Sequence, residues 1–310
     1  MSNSINFSEV STMWNEEKQK YVKRSTMSVY QLHLKRHLIP VFGEMTAVSE
    51  ETVQSFVTRK LDSGLSQKSV RDMLIVLKMV TRFGAKLGVF TYPDWEIRFP
   101  PEAPRRIAPV FPLDHQRKLT AYLYSHFSFR NLGILICLNT GLRIGEICAL
   151  KWNDINEQFA IITVTKTMER IYLIENDKTH TELIVSSPKT KNSYREIPIT
   201  GKLMKMIRSI KERKNKDHYI ISNSPHPIEP RTYRNYFRKL LDSLAIPEIK
   251  FHGLRHSFAT RCIESKCDYK TVSAILGHSN ITTTMNLYVH PNIEHKKRCI
   301  DRMVKSLGKQ

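Results

Sequence analysis

Six prolines fall between Tyr92 and Leu113, at positions 93, 100, 101, 104, 109 and 112, and no helix runs through a stretch so interrupted. The segment 93–112 therefore reads as a linker joining a domain at 1–92 to a second at 113–310. With 310 residues and 41% hydrophobic content, the chain has material for two ordinary cores. Within the linker, Arg98, Arg105 and Arg106 have two readings, following a phosphate backbone or decorating a stiff, solvated spacer.

Before the linker the apolar spacing is helical throughout, with segments at Glu9 to Val22, Met27 to Phe42, Glu50 to Asp62 and Gln67 to Leu87. Ser49 starts the third of these, Gly64 ends it, and Ser66 starts the fourth. One face of that last helix carries Lys68, Arg71, Lys78, Arg82 and Lys86, read either as solvated surface or as facing DNA. After the linker, Asp114 to Leu138 is predicted helical, Gly141 suits a helix end, and another helix follows from about Arg143 to Lys151. The β-branched stretches Phe159 to Lys166, Ile171 to Glu175, Leu183 to Ser186 and Arg195 to Ile199 predict a small antiparallel sheet, and helices resume from Gly201 to the end. The predicted class is mainly α with a small antiparallel β-sheet.

Charge narrows the choice of partner. Lys plus Arg number 49 against 29 Asp plus Glu, a formal net charge of +20, which favours a polyanion through counterion release. Nucleic acid leads and an anionic membrane surface follows. No apolar run approaches the roughly 18 residues of a membrane span, and Met1 to Phe7 lacks the build of a signal peptide, so the expected location is the cytoplasm. The five cysteines form no C-x-x-C pair and read as reduced and structural.

Four separated elements carry groups capable of chemistry: Thr140-Gly-Leu-Arg143-Ile-Gly-Glu146, Pro188-Lys189-Thr190, His252-Gly-Leu-Arg255-His256, and Leu276-Gly277-His278 followed ten residues on by Tyr288. Arg143 opens a helix, where backbone N–H groups favour an anion, although taken alone it reads first as an ion pair with Glu146 one turn on. His252, Arg255 and His256 share one helix face. Zinc is not indicated, because the protease pattern needs Glu straight after the first His and Gly253 stands there; no metal site is expected. His278 alone is a histidine after a helix end, and Tyr288, one of 12 tyrosines, is by itself a packing residue.

Taken together, the stretch from His252 to Pro291 resembles the C-terminal signature of the tyrosine recombinase (phage integrase) family. TGLRIGE and PKTKNSYREIPI resemble its two upstream signatures in order and spacing, over roughly residues 110 to 300. The resemblance implies Arg143 and Arg255 as paired phosphate-binding arginines, Lys189 as the hairpin lysine, His252 and His278 as supporting groups, Tyr288 as nucleophile and Glu146 as a supporting acid. It also implies that 1–92 is the helical, SAM-like core DNA-binding domain and 113–310 the catalytic domain. Few residues precede 1–92, so an added arm-binding domain is not expected and the organisation is nearer to Xer-like recombinases and short integrases. The helix beyond Pro291 is read as docking in trans on a neighbouring subunit, with capping of its own core as the alternative. Two positions depart from the pattern: Gly253, where relatives carry Asp, and Lys266-Cys267, where a helix-ending glycine is usual.

The residue types suit the chemistry implied. Two guanidiniums supply fixed, permanently charged donors for phosphodiester oxygens, so neither a metal nor another cofactor is expected. A tyrosine of pKa about 10 must lose its proton on attack, and a neutral His252 can accept it while His278 donates to the phosphate. The lysine on the hairpin protonates the departing 5′-oxygen, the family role implied for Lys189, with Lys166 and Lys191 as rivals. A 3′-phosphotyrosine conserves the bond energy, so strands reseal without ATP. Expected partners are double-stranded DNA with specific recombination sites, three further copies of the chain in a synapsed homotetramer, and optional accessory DNA-bending proteins. A type IB topoisomerase and a non-enzymatic DNA-binding regulator are the competing readings.

Overall fold

The structure is a computed structural model and describes residues 5–101, 110–175, 178–187, 191–210, 215–287 and 293–307. The chain forms two compact units, one of Met1–Arg105 with Arg170–Glu182, the other of Arg106–Glu169 with Leu183–Gln310.

The first unit is built on α1 (Phe7–Lys18), α2 (Arg24–His33), α3 (Ile39–Phe42), α4 (Glu50–Asp62) and α5 (Gln67–Lys86). Local chemistry sets their ends. Asn6 accepts from the Glu9 N–H while the Glu9 carboxylate accepts from the Asn6 N–H, a reciprocal cap; Ser49 and Ser66 cap α4 and α5 by accepting from Thr52 and Ser69. The segment predicted as one helix from Met27 to Phe42 contains a π-helical turn at Leu34–Leu38. Pro40 has no N–H to give to the preceding turn, and the wider turn absorbs the break. Phe7, Leu38, Phe42, Val57, Leu77 and Val80 are fully buried at the centre.

Residues 92–101 are not a solvated spacer. Trp95, Ile97 and Phe99 pack alternately on the core of this unit. The Gln54 amide accepts from the Arg98 N–H at 2.9 Å and donates to the Arg98 carbonyl at 3.2 Å, as a neighbouring strand would. The prolines exclude helix but leave this extended docking open.

The second unit is centred on α7 (Phe129–Thr140), whose Leu132, Ile134, Leu135, Ile136 and Cys137 are wholly buried. A helix buried all round is a core helix. The sequence predicted one helix from Asp114 to Leu138, but α6 (Leu113–Ser125) stops first, because Ser128 caps α7 by accepting from Asn131. The short α8 (Ile144–Ala149) follows. A three-stranded antiparallel sheet, ordered β1 (Ile155–Asn156), β2 (Ile161–Val164) and β5 (Arg195–Pro198), pairs Ile162 with Ile155 on one side and Ile197 on the other. A separate two-stranded sheet joins β3 (Thr167–Glu175) to β4 (Lys178–Ser186), so the described residues form two small sheets and β4 begins five residues before the predicted Leu183. Helices α9 (Gly201–Ser209), α10 (Pro230–Ser243), α11 (His252–Glu264), α12 (Tyr269–Leu276), α13 (Ile281–Leu287) and α14 (Ile293–Leu307) complete the order. Helices thus resume from Gly201, and the described residues between α9 and α10 are turns, with Tyr219 bridging Lys151 and Ser224. Among the described residues no helix is long and apolar enough to cross a membrane.

Lys266 ends α11 in the left-handed region at φ 69°, with the Cys267 N–H reaching back to the Cys262 carbonyl. A β-carbon is penalised there and the side chain is exposed. Lys266→Gly is expected to stabilise the unit by roughly 0.5–1 kcal/mol, the left-handed penalty less glycine's larger chain entropy, seen as a raised thermal midpoint.

Candidate active site

Two left-handed glycines end the two helices that frame the site. Gly141, at φ 66°, closes α7, and Gly277, at φ 67°, closes α12. A β-carbon on Gly141 would lie 2.6 Å from Leu276 Cδ2 and 2.7 Å from Phe258 Cδ1, so only glycine lets the two ends meet. Their carbonyls converge on Arg255, projecting from the first turn of α11. Its Nη1 donates to the Gly141 carbonyl at 2.9 Å and its Nη2 to the Leu276 carbonyl at 2.8 Å. Arg255 is only 2% exposed. Each bond uses one N–H and leaves a second on the same nitrogen.

Arg143 sits immediately before α8. Its Nη1 donates to Glu146 Oε1 at 2.8 Å, its backbone N–H to Oε2 at 2.8 Å, and its Nη2 to the Gly277 carbonyl at 3.4 Å. Arg143 is thus paired to Glu146 and stands at the entrance of α8. Gly145 admits the backbone of β3, its absent β-carbon falling 2.6 Å from the Met168 carbonyl oxygen.

Glu146 has a further partner that sequence reasoning missed. Arg195, at the start of β5, donates Nη1 to Oε1 at 3.1 Å and Nη2 to Oε2 at 2.9 Å. Its Nε donates to the Ile275 carbonyl at 2.6 Å and Nη1 also to the Ser193 carbonyl at 3.2 Å. The only signal was an arginine inside PKTKNSYREIPI, placed where a strand edge normally meets solvent. Burial works to raise the Glu146 pKa, but the bonds and charge of Arg195, then those of Arg143, outweigh it and hold the carboxyl below its usual range.

The histidines respond to these cations. His278 is half-buried, with Nδ1 2.8 Å from the Thr284 hydroxyl, which orients the ring. Burial first, then Arg255, Arg143 and Arg195, lower its pKa to about 4. His252 keeps an exposed edge, its ring 4.5 Å from that of His256. Desolvation, then His256, Arg255 and Arg143, lower it to about 4 as well. Both are neutral at pH 7. Burial, then Arg143, brings Arg255 down to about 9, which still leaves it charged.

The structure therefore brings Arg143, Glu146, Arg255 and His278 together, with His252 one turn from Arg255 on α11. Lys189 and Tyr288 lie outside the described residues, as do Arg105 and Arg106. Lys166 is exposed just ahead of β3. In the first unit Lys68 pairs with Asp72 at 3.0 Å, Arg71 lies 3.9 Å over the Phe99 ring, Lys78 donates to the Trp95 carbonyl at 3.5 Å, and Arg82 lies 5.5 Å over the Tyr92 ring.

Residues 114–295 match the phage integrase family, and residues 6–59 match its N-terminal SAM-like domain. This chain belongs to the phage integrase family. Among curated proteins, a XerC-like tyrosine recombinase of Caldanaerobacter subterraneus subsp. tengcongensis is 30% identical over 185 residues, 54% of this chain and 47% of that protein. The ICEBs1 integrase of Bacillus subtilis is 23% identical over 299 residues, 93% of this chain and 76% of its own. Among solved structures, the Tn1549 transposon integrase in complex with a circular intermediate DNA has a TM-score of 0.73 at 19% identity, covering 97% of this chain and 100% of that one, a likeness of fold.

The lowered histidines fix a pH dependence for this integrase. Their folded pKa values, about 4, lie below the ordinary 6.5, so between those values the unfolded chain binds more protons than the folded one. The stability from the neutral rings is fully present above about pH 6.5 and is lost as pH falls towards 4. Thermal midpoints of the DNA-free protein are expected to drop across that window, and His278→Gln to show a smaller drop over the same range.

Proposed function

We propose that this integrase is a site-specific DNA strand transferase that cleaves and rejoins strands through a 3′-phosphotyrosine intermediate, in the integration, excision or inversion of DNA. The observation that supports it most directly is the cation cluster at the joined ends of α7 and α12, where Arg143 and Arg255 both donate to main-chain carbonyls and, of the two, Arg143 pairs with a carboxylate. A phosphodiester entering there is met first by Arg143, which is 36% exposed, with Arg255 behind it. Fixed donors in a site shielded from water stabilise the charge that grows on the non-bridging oxygens.

In this reading Tyr288 attacks phosphorus, its proton passes to neutral His252, and Lys189 protonates the departing 5′-oxygen. His278 donates Nε2–H to the phosphate, a tautomer that the Thr284 hydroxyl supports by donating to Nδ1. Lys68, Arg71, Lys78 and Arg82, with Arg105 and Arg106, follow the phosphate backbone. The XerC-like relative and the ICEBs1 integrase argue for recombination of defined sites, and a DNA substrate puts the protein in the cytoplasm. Ile300, Met303, Val304 and Leu307 on α14 are 52–73% exposed, an apolar face suited to docking on a neighbouring copy in a DNA-bound homotetramer.

Nicked duplexes tiled across the DNA flanking the gene test this reading. The unaltered chain is expected to form a covalent adduct with one of them, mapped to Tyr288 by mass spectrometry; an adduct on any other tyrosine overturns the assignment. Tyr288→Phe should bind that duplex and form no adduct, and Arg143→Ala or Arg255→Ala should lower its formation about 10²–10³-fold. Of alanine variants at Lys166, Lys189 and Lys191, only Lys189→Ala is expected to lose cleavage.

A further inference from the structure

Arg195 is 6% exposed, and Glu146, which it grips with both terminal nitrogens, is 3% exposed. A third buried cation in a site that already holds two arginines calls for a physical reason. A carboxylate taken out of water is stable only when its oxygens are met by donors. Were Arg143 the sole partner of Glu146, the two side chains would close into a bidentate pair and cancel each other's charge, leaving Arg255 as the one uncompensated cation. Instead Arg195 supplies that bidentate pair, and Arg143 gives Glu146 only Nη1 and its backbone N–H, its Nη2 donating to the Gly277 carbonyl at 3.4 Å. The arithmetic of charge agrees: three arginines and one glutamate leave two net positive charges. A phosphodiester carries one negative charge and gains a second as the fifth oxygen adds.

We propose that Arg195 is a positioning residue for strand cleavage: it takes up the charge of Glu146 so that Arg143 stays available to the phosphate, and it clamps the end of α12 from which His278 projects. The clamp is the 2.6 Å bond from Arg195 Nε to the Ile275 carbonyl, three residues before His278. Gly277 makes room for the arm, a β-carbon there falling 3.0 Å from Arg195 Cδ. The inference rests on the reading of this site as a phosphoryl-transfer centre.

The test uses the full chain in four forms: unaltered, Arg195→Met, Glu146→Gln, and the two substitutions combined. The combined variant restores the net charge of two through Arg143 and Arg255 and leaves no bare buried carboxylate, so it remains informative if Arg195→Met alone folds poorly. On the duplex to which the unaltered chain attaches, Arg195→Met is expected to lower covalent attachment about 10²-fold with binding within about threefold, and the combined variant to recover at least tenfold of that loss. In the DNA-free protein, inorganic phosphate followed by the His278 ring resonance should bind more weakly to Arg195→Met and regain affinity in the combined variant. The His278 titration should also move upward in Arg195→Met, because one of the cations holding it low is gone. Attachment by Arg195→Met at the unaltered rate, or a combined variant no better than the single one in both attachment and phosphate affinity, overturns the proposal. If the unaltered chain attaches to no duplex, the strand-transfer reading fails, and the phosphate and His278 measurements still decide the role of Arg195.

Discussion

The catalytic unit of this integrase is organised around one carboxylate. Glu146 accepts from the backbone of Arg143, from its guanidinium, and from both terminal nitrogens of Arg195, so a charge whose burial would cost several kcal/mol has every oxygen met. Those donors come from different places: the start of α8 and the start of β5. Through Nε of Arg195 the same network reaches the end of α12. Helices and sheet are thereby fixed around a point where positive charge exceeds negative.

Arg255 is held on another principle. Its partners are the carbonyls at the C-terminal ends of α7 and α12, which carry only the partial negative charge of a helix end. Such partners orient a guanidinium and satisfy its N–H groups without the cancellation that a carboxylate brings. They can converge on it only because Gly141 and Gly277 turn the two helix ends left-handed, and Gly141 leaves no gap for a β-carbon against Leu276 and Phe258. The glycines are therefore part of the electrostatics of the site as well as its backbone. Burial, with the neighbouring cations, also keeps His252 and His278 neutral at pH 7.

Much of this was legible in the sequence where the signal is local. Ser49, Gly64 and Ser66 announce helix ends because capping needs only neighbouring residues, and Gly141 does likewise. Signals that depend on distant partners were misread. Prolines 93, 100 and 101 spoke for a spacer, whereas the alternation of Trp95, Ile97 and Phe99 matters only once the surface of α4 and α5 exists to receive it. The stretch from Asp114 to Leu138 keeps helical spacing across a break that Ser128 imposes. Arg195 escaped notice for the same reason, since its value lies in a glutamate 49 positions away.

The docked segment changes how the basic face of α5 is understood. Arg71 lies over Phe99 and Arg82 over Tyr92, so aromatic rings of the segment fix the directions of two guanidiniums. A ring face attracts a cation by its quadrupole and brings no formal charge. Lys68 on the same helix meets the Asp72 carboxylate at 3.0 Å. The same segment that excludes helix between the domains thus orders part of the electrostatic surface next to it.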